Sequence, residues 1–181
     1  AIAAATAATG RDMMFYQCNW GVQSPWLWAP EVANLFRNTP DICAPGSIAW
    51  ADILRNFDAT VAHSSTPPAA PGLPGTGVGA WNDPDMLGVG LPGITDVEGR
   101  SQFSLWTVLG APLVLGSDVL ALTPATLATV GNAEAIAINQ DALGVQGFLA
   151  DAAAIAPVPF AGGTTLNVSA CASPPRAGAA W

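Results

Sequence analysis

The chain has 181 residues, of which 51% are hydrophobic, and its five arginines and thirteen acidic residues give a net charge of −8. This length suits one domain with a sizeable core, and the composition excludes a disordered protein. The acidic charge excludes the basic surface of a nucleic-acid-binding protein, although it fits both a neutral substrate and plain solubility. The most apolar stretch, residues 103–116, is shorter than the roughly 20 residues that cross a membrane.

The first predicted element is a short buried strand over residues 13–18, where an apolar run follows a charged pair. A tryptophan-rich loop follows over residues 19–30, and residues 31–41 are predicted to form turns or a short helix. Apolar residues at nearly helical spacing predict a helix over residues 48–62. Residues 64–78 are rich in Pro, Gly and Ala, which predicts a loop.

The second half of the chain continues the alternation of strands and helices. Brief strands are predicted at residues 79–82 and 113–115. The segment from Thr95 to Glu98 has the pattern of a capping box, which opens a helix reaching about residue 109. Two more helices are predicted, one after Thr123 as N-cap with Pro124 at its first position, and one over residues 132–138.

This alternation predicts an α/β fold in which short strands pair in parallel through right-handed crossovers. The pattern fits both an open doubly wound sheet and a closed barrel, and ligands of both bind beyond the carboxyl ends of the strands. Polar residues follow all three predicted strands at this edge. They are Asn19 and Trp20, Asp83 and Asp85, and Ser117 and Asp118.

Asp83 and Asp85 lie on either side of Pro84, within the sequence Trp-Asn-Asp-Pro-Asp-Met-Leu at residues 81–87. Rigidly held polar groups beside an indole are typical of a site for a polyhydroxylated ligand. The alternative is an Asx-turn that ends a strand. The convergence of three strand ends favours the binding site, with Asp85 as its chief residue.

Several other chemistries have little support in the sequence. There is no Gly-x-Ser-x-Gly motif, and the glycines before Trp81 open a strand rather than a helix, unlike a nucleotide-binding fingerprint. The spacing of Cys18, Cys43 and Cys171 matches no metal site, and His63 is distant from all three in sequence. We therefore predict no metal and no cofactor. If two cysteines form a disulfide, the third is unpaired.

Asp41 follows Arg37 at a four-residue spacing, directly after the tryptophan-rich loop. One interpretation is an ion pair on a helix surface, worth about 0.2–0.5 kcal/mol. Pro40 argues against a regular helix here. The other interpretation is a carboxyl that exchanges protons, with a pKa set by the competing effects of an arginine and of burial. Such an acid suits glycoside hydrolysis, in which one carboxyl protonates the leaving oxygen.

Short motifs that occur in a fixed order link these features to a known family. They are Met14-Phe15-Tyr16 with Cys18-Asn19-Trp20-Gly21, Pro25-Trp26-Leu27-Trp28, Arg37-Asn38-Thr39-Pro40-Asp41-Ile42, residues 81–87, residues 100–105, Ala111-Pro112-Leu113, and Ala137-Ile138-Asn139-Gln140-Asp141 with Leu143-Gly144-Val145-Gln146-Gly147. Through them, residues 12–147 resemble the melibiases, which are retaining α-galactosidases and their α-N-acetylgalactosaminidase relatives. The motif at residues 81–87 is the most specific.

The resemblance implies a function and a role for each matching residue. Asp41 is expected to be the general acid/base, with Arg37 contacting the substrate. Asp85 is expected to bind galactose hydroxyls with Met86 beside it, and Asn19 and Trp20 to recognise the sugar. The implied substrate is a terminal α-linked galactose. The alternatives are an α-N-acetylgalactosaminidase and a non-catalytic galactose-binding relic.

The resemblance also implies a (β/α)₈ barrel, of which this chain would hold roughly strands 6 to 8. The family's nucleophile lies in a Lys-x-Asp motif on the fifth strand, and this chain has no lysine. We therefore expect the isolated chain to be inactive. The predicted parts are a disordered or truncated N-terminus at 1–10, the barrel portion at 11–147 and the start of a β module at 148–181. A possible glycosylation acceptor at Asn167 supports a secreted or lysosome/vacuole-like location.

Overall fold

A computed structural model describes residues 2–44, 47–63 and 80–147, together with the backbone of two short strands at residues 158–159 and 165–166. The helices of the chain are α1 (Ile2–Ala8), α2 (Trp50–His63), α3 (Asp96–Val108), α4 (Pro124–Val130) and α5 (Ala133–Asn139). The strands are β1 (Tyr16–Cys18), β2 (Leu35–Arg37), β3 (Cys43–Ala44), β4 (Ser47–Ile48), β5 (Trp81–Asp83), β6 (Val158–Pro159) and β7 (Thr165–Leu166). Two 3₁₀ turns, Pro25–Leu27 and Ala29–Glu31, connect β1 to β2.

The central sheet has the strand order β1-β2-β5, and all three strands are parallel. An isolated parallel bridge between Leu87 and Leu115 adds a fourth parallel segment after β5. In this bridge the Leu87 amide donates to the Val114 carbonyl at 2.7 Å, and the Gly116 amide donates to the Leu87 carbonyl at 2.9 Å. The predicted α/β class with parallel strands is confirmed, although residues 113–115 form this bridge rather than a full strand.

The prediction of turns or a short helix over residues 31–41 is wrong for Leu35–Arg37, which form strand β2. Phe36 and Arg37 are buried in β2, which lies between β1 and β5. A three-residue strand with an arginine at its end is too short to show alternation, so its sequence carried no strand signal. The described residues therefore contain four parallel segments where three were predicted.

The helix starts follow the predicted capping residues. At α3, the Thr95 hydroxyl accepts the Glu98 amide at 3.2 Å, and a Glu98 carboxylate oxygen accepts the Thr95 amide at 2.7 Å, which completes the capping box. At α4, the Thr123 hydroxyl accepts the Thr126 amide at 3.1 Å. The Asn132 side chain caps α5 in the same way, at 3.0 Å from the Ala135 amide.

The hydrophobic core lies where α2 and α3 pack against the segments that follow β2 and β5. Its largest fully buried side chains include Trp106 of α3 and Ile53 of α2. Two residues that follow strands, Ile42 and Leu87, belong to the same cluster. The core therefore fixes the loops at the carboxyl ends of β2 and β5 against two helices.

The chain divides into two compact units, residues 1–148 and Leu149–Trp181. Residues 1–10, where disorder or truncation was predicted, include helix α1, which has no buried residue. In the second unit β6 and β7 pair antiparallel, and Asn167 and Cys171 lie outside the described residues. The limits of the predicted parts, 11–147 and 148–181, stay predictions. None of the described helices is long and apolar enough to cross a membrane.

Candidate active site

The carboxyl ends of the three strands lie side by side, because Cys18 is in register with Arg37 and Arg37 with Asp83. The predicted site residues therefore all leave the same edge of the sheet. A further contact joins the first two strand ends, since the Gly21 amide donates to the Arg37 carbonyl at 3.3 Å. This edge is where parallel α/β folds bind their ligands.

Arg37 joins the two principal carboxylates of the site. Its Nη2 lies 2.9 Å from Asp41 Oδ1, and its Nη1 lies 2.9 Å from Asp85 Oδ1. Nη2 also donates to the Thr39 carbonyl at 3.1 Å. The side chains of Arg37 and Asp85 are 7% and 10% exposed, whereas that of Asp41 is 48% exposed. The pair is thus not on a helix surface, and Asp41 is the carboxyl of this cluster that is open to a ligand.

Asp85 has a left-handed backbone with φ of 98°, which is unusual for a residue other than glycine. Its carboxylate accepts hydrogen bonds from the Met86 amide at 2.8 Å and from the Ile42 amide at 2.7 Å. Arg37 Nη1 is the third donor, in the ion pair described above. These three donors take three of the roughly four acceptor positions of a carboxylate. The Trp106 indole donates to the Asp85 carbonyl at 2.7 Å. Asp85 therefore holds Arg37 and Ile42 in place, and one of its acceptor positions is unused among the described hydrogen bonds.

Asp83 forms the Asx-turn that was the alternative interpretation of the 81–87 segment. Its Oδ1 accepts the Asp85 amide at 2.8 Å. The Asx-turn is thus made by Asp83, whereas Asp85 pairs with Arg37. The interpretation of Asp85 as a ligand-binding residue stays a prediction. Burial raises the pKa of Asp83 to about 7. The hydrogen bond from the Asp85 amide opposes this rise, and the charge of Asp85 adds to it.

The raised pKa of Asp83 predicts a pH-dependent stability. Between about pH 4 and pH 7 the folded chain holds a proton at Asp83 that the unfolded chain releases, because the unfolded pKa is near 3.8. The free energy of unfolding should therefore fall as pH rises through this window, by at most about 1.4 kcal/mol per pH unit from this group. In Asp83→Asn this contribution should vanish. Urea denaturation of both chains across the window measures the difference, and parallel slopes would contradict it.

The remaining predicted residues, Asn19, Trp20 and Met86, lie at the same edge of the sheet. None of the described hydrogen bonds joins them to Arg37. Asn19 donates to the Val22 carbonyl at 2.5 Å, while its Oδ1 is buried without a hydrogen-bond partner in the described part of the chain. Trp20 has φ of 58° and is 54% exposed. The Met86 thioether packs so closely on Gly116 that a Cβ there would lie 2.3 Å from its sulfur.

The third predicted strand end makes other hydrogen bonds instead of joining the carboxylate cluster. The Ser117 hydroxyl donates to the Val89 carbonyl at 2.8 Å, and Asp118 accepts the Leu120 amide at 2.9 Å. Conversely, Asn56 was not predicted as a site residue, although its side chain contacts both acid-bearing loops. A polar residue on the apolar face of a predicted helix was the available signal.

No three His, Cys, Asp or Glu side chains within the described ranges are grouped so that they could hold a metal ion. Cys18 and Cys43 both carry free thiols. His63 stacks on Trp26 with ring centroids 3.5 Å apart, and burial lowers the pKa of its imidazole.

The chain is similar to several known proteins. Residues 1–141 match the Melibiase_2 family model, described as alpha galactosidase A. The chain is 45% identical over 140 residues to α-galactosidase 3 of Arabidopsis thaliana, covering 77% of this chain and 29% of that protein. It is 40% identical over 155 residues to α-N-acetylgalactosaminidase of Rattus norvegicus, covering 82% and 35%. The crystal structure of α-galactosidase I from Mortierella vinacea matches with a TM-score of 0.64 at 31% identity, covering 80% and 38%. The chain spans about a third of the length of the curated relatives it matches.

Proposed function

The chain belongs to the melibiase family, and on that premise we propose that it forms part of an α-galactosidase, which hydrolyses terminal α-linked galactose in oligosaccharides or glycoconjugates. The observation that carries this proposal is the cluster of Arg37 with an exposed Asp41 and a buried Asp85 at the carboxyl edge of a parallel sheet. All three residues lie inside the matched range.

Asp41 is proposed as the general acid/base of a retaining double displacement. In the first step its proton passes to the glycosidic oxygen while a separate carboxylate bonds to the anomeric carbon. In the second step the Asp41 carboxylate takes a proton from water, which attacks the same carbon and releases the nucleophile. The exposure of the Asp41 side chain supports this role, because the leaving group and the water must both reach it.

The other site residues are proposed to bind the sugar. Asp85 offers its remaining acceptor position to a galactose hydroxyl, and Arg37, anchored by Asp85, contacts the substrate and orients the acid. The exposed Trp20 indole suits an apolar face of a sugar ring, and Asn19 Oδ1, which has no hydrogen-bond partner among the described residues, suits a hydroxyl donor. Met86 lies beside Asp85 as an apolar wall.

A complete site of this kind needs a nucleophile, which we assign to none of the carboxylates described above. The chain contains no Lys-x-Asp motif. The two carboxyls of a retaining glycosidase lie about 5–5.5 Å apart, so the nucleophile must come from a neighbouring strand. We propose that the four parallel segments occupy consecutive positions of a (β/α)₈ barrel, one more than the three expected from the resemblance, and that the nucleophile lies on a strand outside these four. The isolated chain is then inactive.

Two alternatives make different predictions for the same site. An α-N-acetylgalactosaminidase is favoured by the similarity to the rat protein. A non-catalytic galactose-binding relic would bind galactose through Asp85 and Trp20 but would not hydrolyse a galactoside when a nucleophile is supplied. We propose a secreted or lysosome/vacuole-like location for the protein, with the possible acceptor at Asn167 as support.

A chimera separates these functions. Residues 12–147 replace the matching segment of the Arabidopsis enzyme, and hydrolysis of aryl α-galactoside and aryl α-N-acetylgalactosaminide is compared. We expect the chimera to hydrolyse the aryl α-galactoside with a higher kcat/KM than the aryl α-N-acetylgalactosaminide. Preference for the N-acetylated substrate would favour the first alternative. Galactose binding by calorimetry without hydrolysis of either substrate would favour the second.

A further inference from the structure

Asn56 lies on the buried face of α2, next to both loops that carry the site carboxylates. Its side chain is fully buried. Its Nδ2 donates to the Pro40 carbonyl at 2.6 Å and to the Pro84 carbonyl at 2.9 Å. Each proline directly precedes an acid of the site, Asp41 in one loop and Asp85 in the other. We propose, as a step that rests on the proposed function, that Asn56 is a positioning residue that fixes the separation of these two loops.

The chemistry of the two loops explains why a side-chain amide is needed here. Proline has no N–H, so neither Pro40 nor Pro84 can donate a main-chain hydrogen bond to the other loop. A buried carbonyl nevertheless requires a donor, which applies above all to Pro84, since Pro84 is fully buried whereas Pro40 is exposed. An asparagine amide offers two N–H donors, one for each carbonyl. Its Oδ1 accepts from Arg55 Nε at 3.2 Å, which fixes the orientation of the amide.

The effect of Asn56 on the acids passes through the main chain. Two other contacts join the same loops, namely the Ile42 amide to Asp85 Oδ2 at 2.7 Å and the pairing of Arg37 with both acids. Both depend on the loop separation that Asn56 sets. Misplacing a reacting group by about 1 Å can cost about 10²-fold in rate. Loss of the amide should therefore lower kcat more than it changes KM.

The test compares Asn56→Leu with a matched control, Asn139→Leu, in the 181-residue chain. Asn139 is also a buried helical asparagine whose Nδ2 contacts two carbonyls, Ala111 at 2.9 Å and Trp106 at 3.4 Å. Amide hydrogen exchange by NMR should show the Ile42 amide exchanging about tenfold faster in Asn56→Leu, relative to amides in the middle of α3. In Asn139→Leu this ratio should not change.

A second measurement needs no substitution and covers the case in which Asn56→Leu does not fold. In the unsubstituted chain, NMR scalar couplings across hydrogen bonds should connect Asn56 Nδ2 to the carbonyl carbons of both Pro40 and Pro84. Missing couplings, or equal changes in Ile42 exchange in the two variants, would overturn the positioning role. Neither readout depends on activity. In the chimera, Asn56→Leu should lower kcat by about 10-fold to 100-fold with little change in KM. Failure of the unsubstituted chimera to hydrolyse any substrate would count against the proposed function instead.

Discussion

Replacing Asp41 with Asn in the chimera is expected to lower kcat for an aryl α-galactoside by about 10²–10⁴-fold, the usual contribution of a general acid/base. The amide keeps the shape of the carboxyl but cannot deliver a proton to the glycosidic oxygen or take one from water. Because Asp41 is half-exposed, the same change should affect the free energy of unfolding little. Steady-state kinetics and urea denaturation of the same preparations measure the two effects.

The leaving group provides the control for this prediction. An acidic phenol departs without a proton, so Asp41→Asn should slow the first step less for a nitrophenyl galactoside than for an alkyl galactoside. Equal losses on both substrates would show that Asp41 does not protonate the leaving oxygen. A large loss of stability would show instead that the residue is mainly structural.

Replacing Arg37 with Met is expected to cost about 3–5 kcal/mol of the free energy of unfolding of the 181-residue chain. The change leaves Asp85 as a buried charge with no cation beside it, since its side chain is only 10% exposed. Met fills a similar volume, so the effect reports charge rather than a cavity. Chemical denaturation measures the change.

Two variants test this interpretation of Arg37. Arg100→Met removes an exposed cation of α3 and should cost about 1 kcal/mol or less. The double change Arg37→Met with Asp85→Asn should be more stable than Arg37→Met alone, because the uncompensated charge is gone. Similar losses for Arg37→Met and Arg100→Met would contradict the central role of the buried arginine.

The sequence predicted most of the framework because its signals were local. Thr95 with Glu98 and Thr123 with Pro124 mark helix starts by short-range hydrogen bonds, and the structure has both. Strand β2 has no such signal, since its three residues form a strand only through pairing with β1 and β5. Propensity over so few residues is weaker than tertiary pairing.

The site shows the same division between local and long-range information. The motifs identified Arg37, Asp41 and Asp85, and the spacing suggested that Arg37 pairs with Asp41. The second pairing, of Arg37 with Asp85, joins residues far apart in sequence and required the fold. Asn56 was missed for the same reason, because its partners are main-chain carbonyls of two distant loops.

The central claim is that this chain supplies the acid/base part of a galactosidase site and needs a nucleophile from elsewhere. The most direct measurement is the rate of aryl α-galactoside hydrolysis by the isolated 181-residue chain and by the chimera, at equal concentration. We predict turnover by the chimera and none by the chain alone. Hydrolysis by the isolated chain that disappears in Asp41→Asn would contradict this account.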